Sequence, residues 1–270
     1  MALLANVVFV FLAGLVTALA TGLGAIPFFL VNEVSDRWNV ALWGLASGIM
    51  VAASVFGLVF EGLSAADSPV EIVPGLLAGV VLVVVAHEVI EGYEVQPKNY
   101  AEADFRKLLL ILGVLTVHSF PEGVAVGVSF ADLGLQAGAG TTLGLFGFVV
   151  PVLAVFMTVA ISIHNIPEGV AISIPLRTLG ISEWKMVWWA VFSSLPQPIG
   201  AVIAFLFVRI AREFLPIGFG FAAGAMIYLV ATEFVPEALA IGADLPGGGR
   251  RELVAGVAAG VLAMLPLLFV

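Results

Sequence analysis

The sequence of 270 residues contains no cysteine and few charged residues. Without thiols, the chain can form neither a disulfide framework nor a thiolate metal site. Charged residues make up 11% and hydrophobic residues 61%, and the mean hydropathy is +1.17. Soluble domains carry about 25% charged and about 45–50% apolar residues. The composition therefore predicts a polytopic membrane protein, and no nucleic-acid partner is expected.

Long apolar runs fill most of the chain. A membrane-spanning helix needs about 20 apolar residues. The first run lacks the basic start and the short apolar region of a signal peptide, so we expect it to be a true span. By these rules we predict a single all-α transmembrane domain over residues 1–270, with eight helices at approximately 3–31, 40–60, 72–90, 108–130, 146–174, 186–208, 216–237 and 253–270.

Lysine and arginine are distributed unevenly between the predicted loops. If the N-terminus lies outside, every basic residue except Arg209 and Arg212 falls in a cytoplasmic loop. Because cytoplasmic loops are enriched in Lys and Arg, both termini are expected to be extracytoplasmic. In this topology the fourth and fifth helices are antiparallel.

Two copies of one motif lie inside these two helices, as HSFPEG at residues 118–123 and HNIPEG at residues 164–169. A His four residues before a Glu lies on the same helix face. The Pro between them has no N–H, so the carbonyl one turn back loses its partner and a kink is expected. Each copy could therefore offer an imidazole nitrogen, a carboxylate and the carbonyl of Val117 or Ile163.

The paired motifs carry a charge pattern that suits a cation. Glu122 and Glu168 are the carboxylates predicted to lie deep in the membrane, with no Lys or Arg at comparable depth. One divalent ion would cancel their charge. Without the metal ion, two nearby carboxylates resist double ionisation, so one or both should bind a proton. We therefore hypothesise that the site exchanges protons for a divalent metal. Imidazole and carboxylate together suit zinc and its first-row neighbours better than magnesium or calcium. A buried His or Glu can also be structural, but the duplication favours a metal site.

These motifs resemble the signatures of helices four and five in the ZIP (Zrt/Irt-like) family of metal transporters. The stretches at 48–54, 222–226 and 233–237 are also similar to that family, and residues 194–200 resemble its bacterial GufA-like branch. The resemblance implies zinc uptake into the cytoplasm across the cytoplasmic (inner) membrane of a bacterium. Fe²⁺, Mn²⁺ and Cd²⁺ are further candidate substrates, and a homodimer stays open.

The resemblance also implies a first metal site built from both motifs, with a Met nearby: His118, Glu122, His164, Glu168 and Met50. Met50 could equally serve packing alone. An adjoining second site would share both glutamates and add three polar residues: Ser119, Asn165 and Gln197. ZIP proteins with two metals often carry Asn or Asp and Glu there, so Ser119 and Gln197 depart from that pattern. A second divalent ion would leave a charge of about +2 in low dielectric. We therefore predict one tightly held metal, with a weak side station.

Two alternatives remain open. Five polar residues at the expected cytoplasmic ends of helices three and seven are either solvated helix ends or a metal relay: His87, Glu88, Glu91, Glu233 and Glu237. The rival function is an intramembrane zinc hydrolase that uses a metal-activated water. It is disfavoured because the chain has no His-Glu-x-x-His motif. The motif glycines, Gly123 and Gly169, are expected to let helices four and five approach closely.

Overall fold

The structure is a computed structural model that describes residues 2–31, 34–91, 102–133 and 142–265. Its α-helices are α1 (Ala2–Leu23), α2 (Asp36–Ala52), α3 (Phe60–Ala65), α4 (Val73–Glu91), α5 (Glu102–Ser129), α6 (Val152–Thr178), α7 (Glu183–Ser193), α8 (Pro196–Ile210), α9 (Leu215–Leu229), α10 (Val235–Ile241) and α11 (Arg250–Met264). Short 3-10 turns cover Ile26–Phe29, Pro69–Ile72 and Arg212–Phe214, and π-helical segments cover Ala53–Val59 and Val230–Phe234.

In the described ranges, six helical stretches are long and apolar enough to cross a membrane: Leu3–Phe29, Asp36–Ala65, Pro69–Val89, Val152–Arg177, Glu183–Ile210 and Arg212–Ile241. The protein is therefore an all-α polytopic membrane protein, as the composition predicts. In the most apolar part of the stretch that contains α4, only 22% of the residues are buried inside the protein, against 67% in the stretch that contains α2. The stretch containing α4 is thus peripheral and that containing α2 is central. The predicted last span ends beyond the described residues.

Glycines bring several helix pairs into backbone contact. Gly123 of α5 faces the Gln197 carbonyl of α8, and Gly127 faces the Ala201 carbonyl one turn further on. Because both residue numbers increase together, α5 and α8 run parallel. Glycines at four-residue spacing are a known device for close helix approach in membranes. The same spacing joins α2 to α11 and α4 to α9, through Gly44, Gly48, Gly256 and Gly260, and through Gly75, Gly79, Gly220 and Gly224.

The expectation that the motif glycines bring α5 and α6 together is wrong. Gly123 packs on α8, and Gly169 packs on Thr21 of α1. Each glycine directly follows the motif Glu, and successive residues lie about 100° apart around a helix. When the Glu points at the other motif, the glycine must face a different neighbour. Between α5 and α6 the motifs instead meet through polar side chains, with Glu122 beside His164.

The region before α6 departs from the predicted helix at 146–174. Strands β1 (Thr142–Leu145) and β2 (Phe148–Pro151) form an antiparallel hairpin, and α6 begins only at Val152. The two turn residues, Phe146 and Gly147, have φ values of 51° and 82°. Positive φ at both positions is the geometry of a type I′ turn, which glycine favours. Because the whole run is apolar, its composition alone gave no indication of the turn.

Prolines have different effects along the helices. The predicted sixth helix is divided between α7 and α8 at Ser194 and Leu195, and Pro196 is the first residue of α8. That position suits Pro because the first helical N–H has no partner in any case. Pro121 and Pro167 instead lie inside α5 and α6 without ending them. The kinks and bare carbonyls predicted beside these two prolines stay predictions.

Candidate metal centre

Three predicted ligands form one compact cluster. Glu122 of α5 meets His164 and Glu168 of α6, with one ligand atom from each within 4.8 Å of the others. His164 Nε2 lies 3.1 Å from Glu122 Oε1 and 3.2 Å from Glu168 Oε1. Zinc ligands at about 2.0–2.2 Å in a tetrahedron are about 3.3–3.6 Å apart. The observed distances, one of which is a hydrogen bond, are slightly shorter than this spacing.

The cluster is dry and rich in unsatisfied polar atoms. Glu122 and His164 are 0% exposed and Glu168 is 1% exposed. Among the described residues, six buried side-chain nitrogen or oxygen atoms lack a hydrogen-bond partner, and four belong to the two motifs: His118 Nδ1, His164 Nδ1, Asn165 Oδ1 and Glu168 Oε1. Of these, Glu168 Oε1 still has an ion-pair contact with His164 Nε2 at 3.2 Å. Each buried polar atom that lacks a partner costs about 1–3 kcal/mol. Nitrogen and oxygen atoms with free lone pairs are the kind that bind a cation.

Among the described residues, the basic side chain that contacts both glutamates is His164, not a Lys or Arg. In the part of the chain that the structure describes, neither glutamate forms an ion pair with Lys or Arg. Two carboxylates without a cationic partner are costly in a low dielectric. A divalent cation bound between them would cancel their combined charge, as the sequence predicts.

His118, the fourth predicted ligand, lies outside this cluster. It is 3% exposed, and its ring centroid lies 6.3 Å from that of Phe234. The His164 ring lies 5.5 Å from the same Phe234 ring. The two histidines therefore border one aromatic side chain, but only His164 reaches both carboxylates.

The amides predicted for a second station form a hydrogen-bonded chain that ends on Glu122. Gln197 Nε2 donates to Glu122 Oε2 at 2.5 Å, and Gln197 Oε1 accepts from Asn165 Nδ2 at 3.0 Å. Asn165 Nδ2 also donates to the Thr17 carbonyl at 2.7 Å. The Gln197 oxygen is thus already engaged, whereas Asn165 Oδ1 has no described partner. In this arrangement Gln197 orients the Glu122 carboxylate.

The remaining predicted residues are buried, and some supporting residues were not predicted. Ser119 and Met50 are each 1% exposed, and Met50 lies in the apolar core. Thr21 of α1 bonds Ser194 beside α8, with 2.7 Å between their hydroxyl oxygens. The Thr17 carbonyl, one turn earlier in α1, accepts the hydrogen bond from Asn165. Small polar residues one turn apart in an apolar helix are the signal that could have revealed this face.

In the region predicted to be either a relay or solvated helix ends, a histidine meets a glutamate. His87 Nδ1 of α4 lies 2.9 Å from Glu233 Oε1 in the second π-helical segment, with side chains 34% and 24% exposed. Glu88 and Glu237 are exposed. The side chain of Glu91 lies outside the described part of the structure.

Comparison with known proteins gives concordant matches. A family model described as ZIP zinc transporter matches residues 78–267. An Arabidopsis thaliana protein whose name proposes zinc transport is 42% identical over 83% of this chain, but the match covers 33% of that longer protein. Zinc transporter GufA of Myxococcus xanthus is 30% identical over 94% of this chain and 97% of its own. Zinc transporter ZIPB of Bordetella bronchiseptica is 35% identical over 81% of this chain and 69% of its own.

Proposed function

The chain belongs to the ZIP zinc transporter family, and we propose that it carries Zn²⁺ across the membrane through Glu122, His164 and Glu168. The family resemblance stated from the motifs is confirmed. The observation that carries the proposed site is the His164 nitrogen lying 3.1 and 3.2 Å from two buried carboxylates. An ion bound between them would exchange its water shell for imidazole and carboxylate.

We further propose that one ion is held tightly and that His118 completes its ligand set. His118 is buried with an unpartnered Nδ1, and it borders the same aromatic ring as His164. Ser119, Asn165 and Gln197 provide at most a weak second station. This is supported by the engagement of the Gln197 oxygen and by the charge of only two carboxylates. Met50 is a less favoured candidate ligand, because it lies in the apolar core.

The proposed topology has eight spans, with α5 and α6 antiparallel. Helix registers support the antiparallel pair. Asn165 donates to the Thr17 carbonyl and Gly169 lies beside Thr21, so α1 and α6 run parallel. Thr21 bonds Ser194 whereas Gly14 approaches Pro198, so α1 and α8 run antiparallel. Since α5 is parallel to α8, it must oppose α6. Inverted elements that meet at a substrate site recur in secondary transporters.

Several finer points belong to the same proposal. Residues 1–270 form one transport domain with both termini extracytoplasmic, in the cytoplasmic membrane of a bacterium. Transport runs into the cytoplasm, Fe²⁺, Mn²⁺ and Cd²⁺ are competing substrates, and a homodimer is the proposed assembly. The hydrolase alternative gains no support, because the matched family and the named relatives are transporters rather than enzymes.

Zinc flux tests this function. Purified protein in sealed liposomes should move radiolabelled Zn²⁺ down its gradient, whereas Glu122→Ala and His164→Ala should reduce the flux to that of empty liposomes. Glu213→Gln, which changes an exposed carboxylate, is the matched control and should transport normally. Zinc binding by the wild type without any flux would contradict the transporter function.

A further inference from the structure

The Phe234 ring covers the two motif histidines. It lies nearly parallel to the His164 ring, with 5.5 Å between centroids and 19° between planes, and its centroid lies 6.3 Å from that of His118. Trp43 of α2 contacts the same ring edge-on, with centroids 4.7 Å apart. Phe234 is 1% exposed. An aromatic wall therefore closes this flank of the metal site.

The side chains on the two sides of Phe234 differ in their exposure. Glu233 directly precedes Phe234, and its carboxylate pairs with His87 at 2.9 Å. The Glu233 and His87 side chains are 24% and 34% exposed, whereas those of Glu122 and His164 are 0% and 1% exposed. Phe234 thus stands between dry ligands and a more accessible imidazole–carboxylate pair.

The wall lies at the end of a π-helical segment. Phe234 ends the π-helical segment Val230–Phe234, between α9 and α10. A π turn closes i→i+5 bonds and so holds one residue more than an α turn. Returning it to α-helix would rotate the following side chains by about 100°. A rotation of this size would move the ring off His164.

We propose that Phe234 is the gate between the intramembrane metal site and the His87–Glu233 pair, opened by rewinding of Val230–Phe234. This inference rests on the proposed transport function, because a gate needs a moving cation. When closed, the ring keeps His164 directed at both carboxylates and prevents a divalent transition-metal ion from leaving on this side. When open, the ion reaches a second imidazole and carboxylate before it enters bulk water.

Release of bound zinc tests the gate. Purified full-length protein loaded with Zn²⁺ is mixed with an excess of chelator, and the dissociation rate is measured. Phe234→Ala should release zinc at least about tenfold faster than the wild type, whereas Phe234→Leu keeps apolar bulk and should stay within about threefold. Phe205→Ala is the matched control, since Phe205 is 0% exposed on α8 and packs under Arg209. Release at the wild-type rate by Phe234→Ala, or equal acceleration by Phe205→Ala, would overturn the gate.

Thiol accessibility tests the movement independently. Because the chain has no cysteine, Val235→Cys creates a single thiol next to Phe234 and leaves the ring in place. In sealed liposomes, a membrane-impermeant thiol reagent should modify it from the face that bears His87, and faster during zinc influx than without zinc. Absence of modification during influx would overturn the proposal. If the gate tests fail but the wild type still transports zinc, only the gate proposal is wrong. If the wild type transports no zinc, the proposed transport function is wrong.

Discussion

The two copies of the His-x-x-Pro-Glu-Gly motif share one sequence pattern but differ in what surrounds them. In α6, His164 and Glu168 meet one turn apart, and both approach Glu122 of α5. In α5, His118 lies outside that cluster and beside Phe234. A duplicated motif therefore does not give two equal half-sites, because the neighbouring helices decide which side chains converge.

The residue after each His explains part of the difference. Asn165 reaches both the Thr17 carbonyl and Gln197, so α1 and α8 hold the α6 copy from two sides. Ser119, at the same place in the α5 copy, carries a short hydroxyl side chain instead of an amide. Hydrogen bonds behind a ligand orient it and tune its affinity. We therefore expect the α6 copy, together with Glu122, to dominate binding.

Glu122 should give the largest effect, because the two motifs converge on it. Glu122→Ala removes a ligand and also the acceptor for His164 and Gln197. We expect zinc retention and flux to fall to background. Glu122→Gln preserves the shape without the charge, and should fail nearly as completely if charge balance holds the ion. Equilibrium dialysis and liposome flux measure both, and half of the wild-type activity in Glu122→Ala would contradict the convergence.

The two histidines should differ in the size of their effect. His164→Ala is expected to weaken zinc affinity by about 100-fold or more, and His118→Ala by about tenfold, judged against typical ligand-support effects. The reason is that His164 alone reaches both carboxylates. Competition with a zinc-binding dye measures both affinities. Equal losses would show that the copies contribute equally.

Gln197 should control the number of bound ions. Gln197→Glu adds a third carboxylate, so a second divalent ion would no longer leave so large a positive charge in low dielectric. Elemental analysis should find two metals per chain in this variant and one in the wild type. Gln197→Ala should retain one metal with about tenfold weaker affinity, since it only removes support from Glu122. Two tightly held metals in the wild type would contradict the single-ion site.

The motif glycines should give the smallest effect on transport and a measurable one on stability. A methyl group at Gly123 or Gly169 would meet the backbone of Gln197 or Thr21. We expect each alanine variant to lose about 1–3 kcal/mol through overpacking. Gly144→Ala is the control, because nothing lies within 4 Å of the added methyl group. Thermal unfolding in detergent measures the series, and equal stability of all three variants would refute the close contacts.

The sequence was most informative where chemistry and composition are local. Low charge and high hydropathy predicted a helical membrane protein, and the duplicated motif predicted that Glu122, His164 and Glu168 come together, which the structure shows. Their role as metal ligands stays a prediction. Intramembrane carboxylates without basic partners are rare enough to stand out in a sequence. These inferences needed only residue type and helical spacing.

The sequence was least informative where three-dimensional neighbours decide. The partners of Gly123 and Gly169 depend on which helices pack together, which spacing alone does not define. The hairpin before α6 depends on a two-residue turn within an apolar run. Phe234 carries no distinguishing signal, because one phenylalanine among 20 in an apolar chain is indistinguishable from a packing residue.

The coordination of bound zinc offers the most direct test of the central claim. X-ray absorption at the zinc edge, recorded on the zinc-loaded protein, should give a nitrogen and oxygen shell at about 2.0–2.1 Å with an imidazole contribution. That contribution should decrease in His164→Ala. A shell in which sulfur replaces nitrogen and oxygen would contradict the assignment of the ion to Glu122, His164 and Glu168. So would an oxygen-only shell, or a spectrum unchanged by His164→Ala.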